Sequence, residues 1–331
     1  MTPLRTPRSF GEEPPVPTPP PPDPPVDEKR LVDSFLRLVQ TPGPSYEERP
    51  VADLVKTEAL SMGLKVEEDD AGRKIGGNSG NLIVRVPGNV PGGPRLLFAA
   101  HMDTVPRAVG VKPVLVDGEI RTDGRTALGG DNRAGCAEIL EAVREVVEHD
   151  LPHGDLELLF TVGEEEGLLG SQALEAGRIS PRYAYAVDAF KPNEIFVQGE
   201  HLLGRPGRPF TAEDVRRFDE QGPLAPPVPP EDLNLTPAEQ EILAFTTRAM
   251  EDAGLKPQYH RIEYAGTDAV ALRSKGFNSI SLGAGENRPH SRQEKVIVQD
   301  LVDATRLIRR LIANAAVPGP VGVAVASNLP G

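Results

Sequence analysis

The chain has 331 residues, 38% hydrophobic and 26% charged, enough for one large domain or two small ones with a sizeable apolar core. Asp and Glu outnumber Lys and Arg by 49 to 36, and a net charge of −13 argues against nucleic acid or an anionic membrane surface as a partner. No apolar run approaches the roughly 20 residues of a membrane span, no secretory h-region opens the chain, and the one cysteine, Cys136, excludes an internal disulfide, so a cytoplasmic location is expected.

Eleven of the 35 prolines fall in residues 1–25, so residues 1–26 read as a disordered, partly polyproline II tail. Asp27 is the expected N-cap of a helix with Leu31, Phe35, Leu38 and Val39 along one side. Ser45 and Glu48 form a capping-box pattern for a second helix running to about Gly63, with Pro50 near its start. Short apolar or β-rich runs follow at 81–86, 95–100, 156–162 and 183–187, and helical spacing of apolar residues spans 132–148. Residues 199–235 are Gly- and Pro-rich with little periodicity and read as an insert. Thr236-Pro237-Ala238-Glu239 then opens a helix ending at Gly254. A strand at 279–282, a helix over about 300–313 and a flexible tail from 316 to 331 complete the chain. Strands alternating with helices predict an α/β fold, a three-layer αβα domain with a mostly parallel central sheet, made of residues 27–198 and 236–315.

In such sheets ligands gather at the carboxyl ends of the strands. His101 and Asp103 follow the second run, Glu164-Glu165-Glu166 between Gly163 and Gly167 follow the third, and Asp188 follows the fourth. His290 lies beyond the last strand, and Asp131 opens the long helix behind Gly129-Gly130. Each residue alone has an ordinary explanation: Asp131 as a helix cap, the three glutamates as a solvated turn, Asp188 as a rim acid. Together, at one sheet edge, they form a set suited to Zn²⁺, with Mn²⁺ or Co²⁺ as alternatives. Five candidate ligands with one shared carboxylate meet the needs of a two-metal hydrolase. The His-x-Asp spacing also lets Asp103 accept the free imidazole N–H of His101. His149, His153, His201 and His260 lack this context and read as surface or structural residues.

These residues resemble the di-zinc exopeptidase family that includes peptidase T, carboxypeptidase G and the aminoacylases, and peptidase T-like proteins most of all. The resemblance rests on Ala100-His101-Met102-Asp103-Thr104-Val105-Pro106, on 129–135, on 161–170, on Asp188, and on Pro289-His290-Ser291 with Glu294. It implies that His101 and Asp188 bind one metal, Glu165 and His290 the other, and that Asp131 bridges the two. It further implies that Asp103 orients His101 and that Glu164 is the general base for the attacking water. A cis bond between Asp131 and Asn132 is part of the family fold. The segment 265–269 is similar to the family's substrate loop, with Ala265 replacing a glycine, which assigns substrate contacts to Gly266, Thr267 and Asp268.

Two departures stand out. Ala189-Phe190 replaces the family's Gly-Gly after the metal-binding Asp, and the family's lid and dimerisation domain of about a hundred residues is reduced to 199–235. A lid-type homodimer is therefore not expected, and His201, Arg205 and Arg208 are the residues of that stretch able to replace the lid's donors. The resulting expectation is metal-dependent hydrolysis of an amide bond in small peptides, in the manner of an aminopeptidase or tripeptidase. A deacylase, a carboxypeptidase-type amidohydrolase, a non-hydrolytic metal-binding protein and a proline-rich ligand for an SH3-like partner remain open alternatives.

Overall fold

A computed structural model describes residues 24–198, 227–262 and 266–316. The Asp27 carboxylate accepts the Arg30 N–H at 3.0 Å and caps α1 (Glu28–Gln40), which buries Leu31, Phe35, Leu38 and Val39. Folded structure begins slightly earlier than expected, because Arg309 donates to the Pro24 carbonyl at 2.6 Å. The second helix, α2 (Arg49–Ser61), carries Pro50 in its first turn, but Ser45 does not cap it. Ser45 donates instead to Asp103, and Glu48 turns inward to the Tyr46 and Gly163 amides. The capping-box pattern is therefore present without its function, since both side chains have stronger partners across the fold.

The chain continues through β1 (Lys65–Glu68), α3 (Ala71–Ile75), β2 (Leu82–Val86), β3 (Leu96–His101), β4 (Val114–Val116), β5 (Glu119–Arg121) and α4 (Gly130–Glu148). Next come β6 (Leu156–Thr161), α5 (Leu169–Ala173), β7 (Tyr183–Val187) and β8 (Glu194–Gln198). After residue 227 lie α6 (Pro237–Asp252), β9 (Gln258–Ile262), α7 (Asp268–Ser274), β10 (Ser279–Leu282), β11 (Glu286–Asn287), β12 (Lys295–Ile297) and α8 (Val298–Ala316). Thr236 and Glu239 complete both arms of the capping box at the start of α6.

Eight strands form the main sheet in the order β1-β2-β6-β3-β7-β10-β8-β9. Its centre, β6-β3-β7-β10, is parallel, as is the β8–β9 pair, while β1, β2 and the β10–β8 join are antiparallel. Side chains alternate across it as the pleat requires. Leu96, Phe98 and Ala100 of β3 face the core shared with α1, α4 and α8, whereas Leu97 and Ala99 face Leu159, Leu174, Ile179 and Leu272 on the α5–α7 side. This is the three-layer αβα arrangement with a mostly parallel sheet.

Strands β1, β8 and β9, and a small second sheet in the order β11-β12-β5-β4, were not legible beforehand. Its members are two or three residues long, too short to show a period of two. Residues 227–235 also join the fold: Val228 donates to the Tyr259 carbonyl, and Leu233 is fully buried. The described part of the expected insert thus packs along β9. No helix of the described residues is long and apolar enough to cross a membrane.

Candidate metal centre

The four parallel central strands end at one edge, so whatever follows β3, β6, β7 and β10 converges there. His101 is the last residue of β3 and is buried, with Nδ1 3.0 Å from the Asp103 carbonyl and 3.3 Å from its Oδ1. That contact holds Nε2 toward the site, where it lies 2.9 Å from Asp131 Oδ1, 3.8 Å from Glu164 Oε2 and 3.9 Å from Asp188 Oδ1. His290 approaches from the opposite side, its Nε2 2.9 Å from both Asp131 Oδ2 and Glu165 Oε1. Asp131 therefore presents one oxygen to each imidazole.

The backbone around Asp131 is shaped for this task. Gly129 has φ +75°, Asp131 and Asn132 depart from helical angles inside the first turn of α4, and the bond between them is cis. Glu294 gathers the loop, accepting the amides of Leu128, Gly129 and Asp131 at 2.7, 2.9 and 3.1 Å. Asn132 ties the turn to the Val187 carbonyl at 2.8 Å. One turn on, Gly135 packs so closely that a Cβ would come within 2.2 Å of that same carbonyl, so the position admits only glycine.

Glu164 and Glu165 are neighbours, and successive side chains on extended backbone point to opposite sides. Gly163 at φ +60° and Gly167 at φ +105° turn the chain so that both carboxylates reach the site. Two buried acids hold that turn by its amides: Glu48 accepts from Gly163 at 3.0 Å, and Asp103 accepts from Glu164 and Glu165 at 3.0 and 3.2 Å. Ser45 donates to Asp103 at 2.7 Å. Asp103 thus orients both His101 and the glutamate turn.

The pocket is short of positive charge. Burial opposes protonation of His101 and His290, yet the surrounding carboxylates, Glu164 for the first and Glu165 for the second foremost, hold both imidazoles well above their usual pKa. Burial also penalises Asp131, but the two imidazoles outweigh it and hold its carboxyl well below the carboxylate range. Glu164 and Asp188 are pushed well above the usual range by burial, against the opposing charge of His101. Burial raises Glu294 to about 7. Acids in such excess, lined up with two imidazoles and no thiolate, fit divalent cations. Two clusters of ligand atoms within 4.8 Å of one another occur among the described residues: His101, Asp131 and Glu165, and Asp131, Asp188 and Glu286. Asp131 belongs to both.

Two buried acids of this site, Glu48 and Glu286, were missed by sequence reasoning as participants, and Glu294 was noted only within the motif around His290, without a role. Glu286 stands just beyond β10 behind Gly283-Ala284-Gly285, a strand-end position that carried the signal although only His290 was singled out there. The side chains of the expected substrate loop have partners within the fold. Thr267 Oγ1 lies 2.6 Å from Ser281 Oγ and caps α7, and Asp268 is buried and accepts from Thr161. Both side chains are committed to the wall of the site, and Gly266 is half-buried. Ala265, His201, Arg205 and Arg208 lie outside the described residues. His153 has its ring nitrogens 2.8 and 3.2 Å from the Leu151 and Pro87 carbonyls and His260 stacks on Phe196 at 4.9 Å, both away from the centre.

Known proteins resemble this chain in sequence and in fold. The model of peptidase family M20/M25/M40 matches residues 97–314. The uncharacterized protein YqjE of Bacillus subtilis is 40% identical over 164 residues, covering 50% of this chain and 44% of that protein. Peptidase T of Vibrio parahaemolyticus is 32% identical over 211 residues, covering 50% of each. The chain spans about half the length of these curated relatives. Among solved structures, the aminopeptidase PepT of Bacillus cereus superposes with a TM-score of 0.73 at 25% identity, over 88% of this chain and 100% of that one. A tripeptidase of Staphylococcus aureus shares the fold with a TM-score of 0.72 at 22% identity, over 88% of this chain and 99% of its own.

Proposed function

The chain belongs to peptidase family M20/M25/M40, and from that premise we propose that it is a metal-dependent aminopeptidase of small peptides. His101, Asp131, Glu165, Asp188 and His290 would hold two divalent cations, zinc first, with manganese or cobalt as substitutes. The observation that carries this reading is the Asp131 carboxylate, each oxygen 2.9 Å from a different imidazole. When bound, such ions lower the pKa of an attacking water and polarise the scissile carbonyl.

Glu164 is the general base. Its carboxylate reaches the same site as the proposed ligands, with Oε2 3.8 Å from His101 Nε2, which suits a group that must take a proton and return it. It accepts a proton as water oxygen joins the carbonyl carbon, and it delivers that proton to the amide nitrogen as the C–N bond breaks. Asp103 holds the base in place through the Glu164 amide. Thr267 and Asp268 shape the wall, while a peptide would lie against the Gly266 backbone. The reading includes no lid-type homodimer.

The deciding assay uses the purified chain with added Zn²⁺, Mn²⁺ or Co²⁺ and di- and tripeptides that are free, N-blocked or C-blocked. Cleavage of free and C-blocked but not N-blocked peptides, with two ions bound per chain, is expected. Cleavage of N-blocked but not C-blocked peptides would replace the aminopeptidase with a deacylase or carboxypeptidase-type enzyme. Binding of metal with no hydrolysis of any of them would remove the enzymatic reading.

A further inference from the structure

We infer that Glu286 is a sixth side chain of the metal centre, a third carboxylate for the ion on the Asp188 side. The assignment rests on the two-cation reading above and adds a residue to it.

Four observations converge on Glu286. It is 3% exposed, and its Oε1 has no hydrogen-bond partner among the described residues. A carboxylate oxygen of Glu286, one of Asp131 and one of Asp188 all lie within 4.8 Å of one another. Among the described residues, the strongest charges acting on it are those of Asp131, Asp188 and Glu294, all acidic, opposed by that of His101. Its backbone is fixed from two directions: it pairs with Val296 across β11–β12, and the amides of Ala284 and Glu286 both donate to the carbonyl of Ala189, the residue after Asp188. Glu286 and Asp188 are therefore held on one clamped loop pair.

An acid buried among acids with an unpartnered oxygen has no stabilising role in the protein alone, because desolvation and like-charge repulsion both oppose it. A divalent cation removes both penalties. The two positions then differ in chemistry. On the Asp188 side the donors are one imidazole and three carboxylates: His101, Asp131, Asp188 and Glu286. On the other they are one imidazole and two carboxylates: His290, Asp131 and Glu165. The oxygen-rich position should bind the harder Mn²⁺ more tightly than its neighbour does.

The test is a calorimetric titration of the full-length, metal-free chain with Mn²⁺, wild type beside Glu286→Gln. Glutamine is the near-isostere of a protonated glutamic acid, so it preserves any hydrogen-bonding role and removes only the charge. Wild type should bind two ions. Glu286→Gln should keep one site unchanged and bind at the other at least tenfold more weakly. Its metal-free thermal midpoint should be no lower than wild type's, and its midpoint should rise less on adding Mn²⁺. Two ions bound with affinities within twofold of wild type would overturn the assignment and leave the two-cation reading standing. A Glu286→Gln chain that does not fold without metal would show that the carboxylate holds its loop, and would also overturn it. Fewer than two ions on wild type would defeat the two-cation reading, and this assignment with it.

Discussion

Helix α4 runs between two acidic clusters that are built on opposite terms. Toward its C-terminal end, Glu141 receives the Arg30 guanidinium at 2.6–3.0 Å, Glu148 takes another Arg30 nitrogen at 2.8 Å, and buried Glu145 pairs with buried Arg309. At its N-terminal end, Asp131 sits among Glu164, Glu165, Asp188 and Glu286 with two imidazoles for company. The nearby guanidinium of Arg133 is spent on the Leu38 and Gly43 carbonyls. Acids that tie helices together arrive with fixed cations from the same chain, whereas the acids of the centre face two imidazoles and no Lys or Arg partner among the described residues. Glu138, midway between, belongs to neither group, since burial first, with Asp300 adding to it, pushes its carboxyl well above the usual range. The contrast separates a structural acid from a binding acid better than burial does.

The largest effect should come from the centre. Glu164→Gln is expected to lower turnover about 10²–10⁴-fold while both ions stay bound, because the variant loses a proton acceptor and no metal ligand. Metal analysis beside kinetics checks it, and loss of an ion in that variant would exchange the roles of Glu164 and Glu165. On the other side of the contrast, Arg309→Ala leaves Glu145 buried and uncompensated and should cost about 3–5 kcal/mol in urea unfolding. It should leave metal stoichiometry at its wild-type value; a change there would mean that the two clusters are coupled along α4.

A pH effect of intermediate size follows from Glu48, whose carboxyl is raised to about 7 by burial, with Asp103 adding. Its folded pKa exceeds the unfolded value of 4.5, so its stabilising contribution is complete below about pH 4.5 and lost as pH rises through 7. Glu294, also raised to about 7, acts in the same direction. The metal-free protein should therefore lose stability across this window, with Glu48 accounting for on the order of 3 kcal/mol. Urea unfolding of Glu48→Gln at several pH values should show a flatter profile, and an unchanged slope would remove Glu48 as its source. The smallest effect is expected from Ser45→Ala, which takes one hydrogen bond from Asp103 but leaves the two amides. A stability loss of about 1 kcal/mol is expected, with turnover within tenfold of wild type. A larger fall in turnover at unchanged KM would make Ser45 part of the positioning of Glu164.

Legibility followed how each residue is held. His101, Glu164, Glu165 and Asp188 follow regular parallel strands, so an apolar run in the sequence marked where each would emerge. Asp131 was readable through the glycines that precede an amphipathic helix. His290 was identified by its motif, but its placement depends on left-handed backbone at Arg288 and His290 and on the β11–β12–β5 ladder. Glu286, on the same short ladder, also lies beyond a strand end, but no motif marked it.

The amino-acid sequence by itself determined the alternation of strands and helices, the parallel centre of the sheet and the edge at which its ligands gather, because these depend on local periodicity and on the topology of parallel strands. Only the tertiary structure decided what the remaining acids do. Glu48 and Ser45 read locally as a helix cap, yet they are drawn to the Gly163 amide and to Asp103, more than fifty residues away. A buried carboxylate takes whichever donors or cations packing brings within about 3 Å, and that distance is settled by the assembled sheet edge rather than by neighbours in the chain.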